Sequence, residues 1–311
     1  LRTAFCGTTR FAVRVLESML GGEHSPALVI SPPPSRAGRG RSLTPAPVAE
    51  FAREGGIELL ESDDVNHGDV GAALTARSAD LIVVCAFGQL IGSELISSHR
   101  FLNVHPSLVP RWRGAAPIER ALLAGDDETG VSVMELTEGL DDGPVLGVES
   151  VAIGTRETYE TLADQLAASA CSVVGKVLGE ISSGTSQASP QDDSLVTYAE
   201  KIDPSERYLS PESSAVDLDR RVRALGSRLG TFLMLGEGPE DRLGVVECVP
   251  VDRTSDASAA GRTGEVLADG DDLLVICADG LLRLIQVKPA GGRAMTVADY
   301  LRGRDAPVRV L

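Results

Sequence analysis

Residues 81–86 read Leu-Ile-Val-Val-Cys-Ala, an unbroken apolar run of strand length. A strand with one wet face alternates apolar and polar side chains. A run without alternation is buried on both faces, as in a parallel sheet covered by helices. The neighbouring segments agree with such a sheet. Residues 2–7 form a short strand ending at Gly7-Thr8-Thr9, and Phe11, Val15, Leu16 and Met19 have the spacing of a helix packed on it. Further strands are expected at 27–30, 57–60 and 130–136, with helices at 48–53, 70–77, 117–124 and 158–181. This alternation predicts an open, mostly parallel, Rossmann-like α/β sheet. Gly7 stands without the other glycines of a dinucleotide fingerprint, so no such cofactor is indicated.

The pattern changes after residue 183. Gly184 to Ser194, GTSQASPQDDS, is polar and aperiodic and reads as a linker. Beyond it a helix is expected at 217–225, then short strands at 243–251, 264–268, 273–278 and 281–287, separated by turns at Asp269-Gly270 and Asp279-Gly280. Strands without interleaved helices predict a small OB-like β-barrel, closed off by a short helix at 298–302. The expected organisation is a catalytic domain at 1–187, a linker at 188–204 and the barrel domain at 205–311. Between the first strands, residues 31–42 (SPPPSRAGRGRS) exclude a helix or a central strand. They read as a mobile basic loop or as a plain exposed connector.

Charge narrows the partners. The formal net charge is −16, which argues against coating nucleic acid by bulk attraction. No acidic residue lies between Glu23 and Glu50, however, where Arg36, Arg39 and Arg41 fall. A second acid-free window, 101–118, holds Arg111 and Arg113, and the two islands are placed to meet around one cleft. The five cysteines are scattered and form no C-x-x-C pair, so buried free thiols in a reducing cytoplasm are expected, with no metal site. No apolar run is long enough for a membrane span, and no export leader is read at the start.

The window 101–117, FLNVHPSLVPRWRGAAP, concentrates the chemistry. Asn103 and His105 are two apart on a strand end and project to the same side. Pro106 then stops the ladder, having no N–H to donate. An amide and an imidazole at the carboxyl end of a strand suit an active site in an α/β fold. Later, Gly139-Leu140-Asp141-Asp142-Gly143 sets carboxylates on a glycine-flanked turn that can fold back onto them. The residues alone also allow Asn103 to be a turn-former and His105 a loop anchor.

The string N-x-H-P-S-L-V-P-R-W-R-G-A-A-P followed by G-L-D-x-G resembles the signature of the folate-dependent formyltransferases. F-x-G-T-x-x-F-A (5–12), A-G-R-G with P-x-P-V (37–48), A-G-D-x-E-T-G-V (124–131), T-Y-A-E-K (197–201) and K-P-A-G-x-x-A-M (288–295) are similar to it in the same order. The wording points to the members that formylate charged initiator tRNA. The resemblance implies Asn103, His105 and Asp141 as catalytic residues and 10-formyltetrahydrofolate as formyl donor, with no metal. It further implies folate contacts from Ser107, Leu108, Val109 and Pro110, and a pterin pocket lined by Phe87, Gly88, Gln89, Leu90 and Ile91. Arg39, with Arg36 and Arg41, is implied to meet the methionyl-tRNA. A cytoplasmic monomer with no DNA or membrane partner is expected.

The chain departs from the family pattern in three places. Residues 222–230 lack the usual N-P-W-P. Residues 205–311 hold fourteen Lys or Arg against seventeen Asp or Glu, where the family's barrel is usually basic. The basic loop reads P-S-R-A-G-R-G. A formyl-folate hydrolase or an amino-sugar or nucleotide formyltransferase is the alternative reading, and a barrel that binds RNA beside an inactive transferase fold is a third.

Overall fold

The computed structural model describes residues 1–37, 42–252 and 261–311, so Arg39 and Arg41 lie outside the described residues. Two compact units are present, one of Leu1–Pro117, Glu128–Ala152 and Ala163–Ala199, the other of Ile118–Asp127, Ile153–Leu162 and Glu200–Leu311.

In chain order the elements up to residue 199 are β1 (Thr3–Gly7), α1 (Arg10–Met19), β2 (Pro26–Ser31), β3 (Ser35–Ala37), β4 (Ser42–Thr44), α2 (Pro47–Glu54), β5 (Leu59–Glu61), α3 (Gly68–Ala76), β6 (Leu81–Cys85), α4 (Ser93–Ser98), β7 (Phe101–His105), β8 (Arg113–Gly114), α5 (Pro117–Ala124), β9 (Glu128–Glu135), β10 (Val145–Ala152), α6 (Tyr159–Ser183) and β11 (Tyr198–Ala199). The first unit is built on a seven-stranded sheet in the order β10-β9-β7-β6-β1-β2-β5. Five strands run parallel, and β9 is antiparallel to both β7 and β10. The apolar run lies at its centre as β6, flanked by β1 and β7, with Leu81–Cys85 buried and only its last residue, Ala86, exposed. Ala12, Val15, Leu16 and Met19 of α1 are buried as their spacing predicts, and Thr9 caps the helix by accepting from the Ala12 N–H.

The parallel register places the site. Gly7 pairs with Cys85 and Cys85 with Val104, so β1, β6 and β7 end side by side. The chain leaves β1 toward β2 on one side and returns through β6 on the other, a point where α/β sheets leave a crevice. Thr8 Oγ1 donates across it to the Phe87 carbonyl at 2.6 Å.

Several elements were not expected. Helix α4 has six residues, too few for a periodic signal. Strand β10 lies at the sheet edge, and its exposed Val148 obscures the alternation. Residues 35–37 and 42–44 pair only with each other, apart from the main sheet. The stretch read as linker makes backbone pairings with the first unit's strands and loops. Val145 and Ser189 exchange backbone bonds of 2.8 and 2.9 Å, and β11 runs parallel to β8.

The second unit contains α7 (Ala215–Leu225), β12 (Thr231–Met234), β13 (Arg242–Val251), β14 (Val266–Asp269), β15 (Asp272–Ile276), β16 (Leu281–Pro289), β17 (Met295–Thr296) and α8 (Val297–Leu301). Its antiparallel sheet runs β12-β13-β16-β15-β14, with β17 on β16. Leu218, Val222, Leu243, Val245, Leu273, Val275, Leu284 and Val287 share one buried cluster; β13 and β15 send alternate residues into it, and a register shift between β13 and β16 sets Leu284 and Val287 three apart. The β14–β15 hairpin closes through Gly270 at φ 56°. Residues 308–311 join the two edges of the sheet. Val266 N donates to the Val308 carbonyl at 3.0 Å, Val310 N to Gly264 at 2.7 Å and Leu311 N to Met234 at 2.8 Å. An open edge invites association, and this segment closes it.

Cys6, Cys85, Cys248 and Cys277 are buried and unpaired; burial pushes their thiols up, Cys277 to about 12. They are packing residues in the thiol form.

The seam gives a test by proline scanning. Val310→Pro removes the donor to Gly264 and is expected to cost about 2 kcal/mol, read by urea unfolding. Val308→Pro is expected to be near neutral, because only the carbonyl of Val308 is used and its side chain is 81% exposed. Equal effects of the two would show that the seam contributes nothing.

Candidate active site

Strand β7 carries Asn103 and His105 on one face, with Val104 buried on the other. Strand β9 ends at Glu135, paired with Leu102, and residues 136–144 then fold back over β7. Gly143 lies flush against the Glu135 carbonyl, where a Cβ would come within 1.9 Å. That close approach requires glycine.

The turn holds Asp141 in the left-handed region, φ 50°, and aims its carboxylate at β7. Asn103 Nδ2 donates to Asp141 Oδ1 at 2.8 Å and the Gly114 N–H to Oδ2 at 2.8 Å. His105 Nδ1 lies 3.6 Å from Oδ2, with side chains only 6% and 12% exposed. Asp142 goes the other way. It is exposed, accepts from Thr137 Oγ1 and lies over Gly139. Two adjacent carboxylates are thus separated by backbone geometry, one in the site and one in solvent.

His105 Nε2 faces the Trp112 carbonyl at 2.8 Å. A carbonyl only accepts, so Nε2 carries a proton and Nδ1 is the atom turned to Asp141. Donation from this nitrogen to a substrate oxygen would require Nε2 to leave the Trp112 carbonyl. Trp112 is itself left-handed at φ 62°, donates its N–H to Thr197 Oγ1 at 2.9 Å and stacks under the Arg111 guanidinium, 4.4 Å from the ring centre. Arg113 turns inward, 5% exposed, and bonds Gln191 and Asp193. It is not presented to a partner, so the second basic window offers less surface charge than the sequence suggests.

The other expected residues divide into exposed and structural groups. The Ser107 hydroxyl is fully buried, donates to Arg111 O at 2.7 Å and thereby shapes the loop. Its carbonyl takes Ser132 Oγ at 2.7 Å, and that oxygen accepts from Val109 N. Leu108 packs against Gly130, and Leu108, Val109 and Pro110 are half-buried with a cis bond between the last two. Phe87 is core, and Gly88 turns at φ 80°. Gln89 is consumed in bonds to Val65 N and Ser62 O. Ile91 is half-buried, and Leu90 is 85% exposed at the tip of the loop. Arg36 is exposed on β3. Gly114, Thr197 and Gln191 were not singled out from the sequence. Gly114 and Thr197 left a signal, as the glycine of the W-R-G motif and the first residue of T-Y-A-E-K; at φ 124° the Gly114 Cβ would stand 2.8 Å from the Ala199 carbonyl.

Among the described residues no group of His, Cys, Asp and Glu is placed to hold a metal ion, and no helix is long and apolar enough to cross a membrane. The arrangement combines a neutral two-donor amide, an imidazole and a desolvated carboxylate, a set suited to acyl transfer.

Comparison with known proteins supplies the family. Residues 1–178 match the formyl transferase model and residues 201–305 the formyl transferase C-terminal domain model. The chain is 41% identical over 307 residues to methionyl-tRNA formyltransferase of Halorhodospira halophila, covering 97% of this chain and 96% of that protein. It is 38% identical to the enzyme of the same name from Parvibaculum lavamentivorans, covering 97% of each. In fold it resembles an N-formyltransferase from Helicobacter canadensis solved with folinic acid and dTDP-3-aminofucose. That match has a TM-score of 0.67 at 14% identity and covers 92% of this chain and 99% of that one. With both models matched in order and such identity along almost its whole length, the chain belongs to the formyl transferase family.

Proposed function

We propose that the chain transfers the formyl group of 10-formyltetrahydrofolate to the free amino group of methionyl-tRNA, the charged initiator tRNA. The reading is carried by the Asp141 carboxylate, bonded to Asn103 and facing His105, in a chain whose relatives share that name at 35–41% identity. Residues 1–187 then form the catalytic domain, 188–204 its connection and 205–311 the tRNA-contacting barrel.

The amine nitrogen attacks the formyl carbon, the new N–C bond forms and the bond from that carbon to N10 breaks. One proton leaves the amine and one is delivered to N10. Asn103 uses one Nδ2–H on Asp141; its second N–H is available for the developing oxyanion. Losing such a donor costs about 3–4 kcal/mol of barrier. Asp141, only 12% exposed, receives the amine proton, with the His105 ring beside it to share the charge. Exposed Leu90 and the Ser107–Pro110 loop offer the apolar surface and rigid backbone that fit a flat folate ring. Arg36, Arg39 and Arg41 are proposed for the tRNA phosphates.

Asn103→Ala, His105→Ala and Asp141→Ala are each expected to lower turnover by about 100-fold or more with the fold retained, whereas Asp142→Ala stays within about threefold. The assay is formyl transfer to methionyl-tRNA, with a nucleotide-linked amino sugar as competing acceptor. Near-normal transfer by Asp141→Ala would remove the assignment, and preference for the amino sugar would change the substrate.

The near-neutral, slightly acidic barrel predicts a shallow dependence of tRNA affinity on salt, equivalent to about two or three neutralised phosphates. A slope like that of a broadly basic binder would show that recognition rests on charge.

A further inference from the structure

Gln191 lies in the polar stretch after α6, within the first unit, and its carboxamide is used to capacity. Nε2 donates to the carbonyls of Asp141 and Gly143, both at 2.9 Å. Oε1 accepts from Arg113 Nε at 3.0 Å and Nη2 at 2.8 Å. A carboxamide has two N–H donors and two lone pairs, so all four positions are filled.

The two segments it joins are those spanned by a bond of the active site. Gly114 N donates to the Asp141 carboxylate, Arg113 immediately precedes Gly114, and Gly143 closes the turn that carries Asp141. Gln191 therefore fixes the separation between donor segment and acceptor turn from outside the site. Its grip on the Asp141 carbonyl acts on a residue at φ 50°, a backbone state that a side-chain-bearing residue keeps only when its surroundings hold it. Arg113 is buried, and Gln191 takes two of the three bonds from its guanidinium, Asp193 the third. The clamp is bonded on both sides.

We infer that Gln191 is a positioning residue for formyl transfer, acting through Asp141 by holding that turn against the Arg113-Gly114 segment. The inference rests on the formyl-transfer reading of Asp141. It assigns a catalytic consequence to a side chain in the stretch that composition marks as linker.

Two near-isosteric variants separate the halves of the clamp. Gln191→Met removes all four bonds, while Gln191→Glu keeps acceptors for Arg113 and removes both donors to the turn. Each is expected to lower kcat by about tenfold or more, with KM for methionyl-tRNA and for the formyl donor within about threefold. Gln191→Glu should retain the greater share of the wild-type Tm. A merely structural role would not produce the next result: in an Asp141→Ala background, Gln191→Glu should leave the residual kcat unchanged, because its path runs through the missing carboxylate.

Wild-type transfer to methionyl-tRNA, and its loss in Asp141→Ala, test the underlying reading separately. If those hold, a kcat within about twofold of wild type in Gln191→Glu overturns the inference, as does a defect confined to KM. Additive losses in the double variant overturn it too, and so does a Gln191→Glu chain that fails to fold, since the amide would then serve the fold as a whole.

Discussion

A single carboxylate in an unfavourable backbone state organises the candidate site. Asp141 sits at φ 50°, a conformation that costs a side-chain-bearing residue about 1–3 kcal/mol. Three bonds offset it: Asn103 and Gly114 on the carboxylate oxygens, Gln191 on the carbonyl. Each comes from a different part of the chain, namely β7, the loop behind it and the stretch after α6. The same stretch holds Trp112, also left-handed, through Thr197. The Trp112 carbonyl in turn fixes the proton on His105 Nε2. The site is thus a meeting of four segments, the turn that carries Asp141 and the three that hold it, and none of them sets its geometry alone.

That dependence explains what could be read from the chain and what could not. The central strand was legible because burial on both faces erases alternation, and 81–86 show none. Asn103 and His105 followed from a period of two, and the returning carboxylate from its glycines. Composition could not separate Asp141 from Asp142; the backbone does, by turning one toward β7 and the other over Gly139. Gln191 has no periodic or compositional signal at all. A residue that works through two backbone carbonyls and a guanidinium leaves its trace only in three dimensions. Strand β10 was hidden for a different reason, since an edge strand with Val148 facing out follows neither template.

Charge is a third constraint, and geometry redistributes it. A net charge of −16 gives no bulk attraction for an anionic substrate. Of the cations in the acid-free windows, Arg113 is spent inside the protein and Arg111 lies against Trp112, while Arg36 faces solvent. On the proposed reading, recognition of tRNA would rest on a few placed cations and on shape, more than on a broad positive field. An acidic surface also repels RNA that is not correctly placed, which raises discrimination at the cost of encounter rate.

The segment without N-P-W-P shows how such a departure can be absorbed. Residues 226–230 place Arg228 against Glu119, Nη1 to Oε1 at 2.5 Å, with the Tyr159 hydroxyl at 3.0 Å and its ring at 5.1 Å. Glu119 is only 4% exposed, and burial lifts its carboxyl above the usual range against the opposing pull of Arg228. Desolvation likewise raises the Tyr159 phenol. The pair is asymmetric: removing Arg228 would strand the buried Glu119 carboxylate, whereas Arg228 is half exposed and keeps access to water. All three residues belong to the second unit, whereas Asn103, His105 and Asp141 belong to the first.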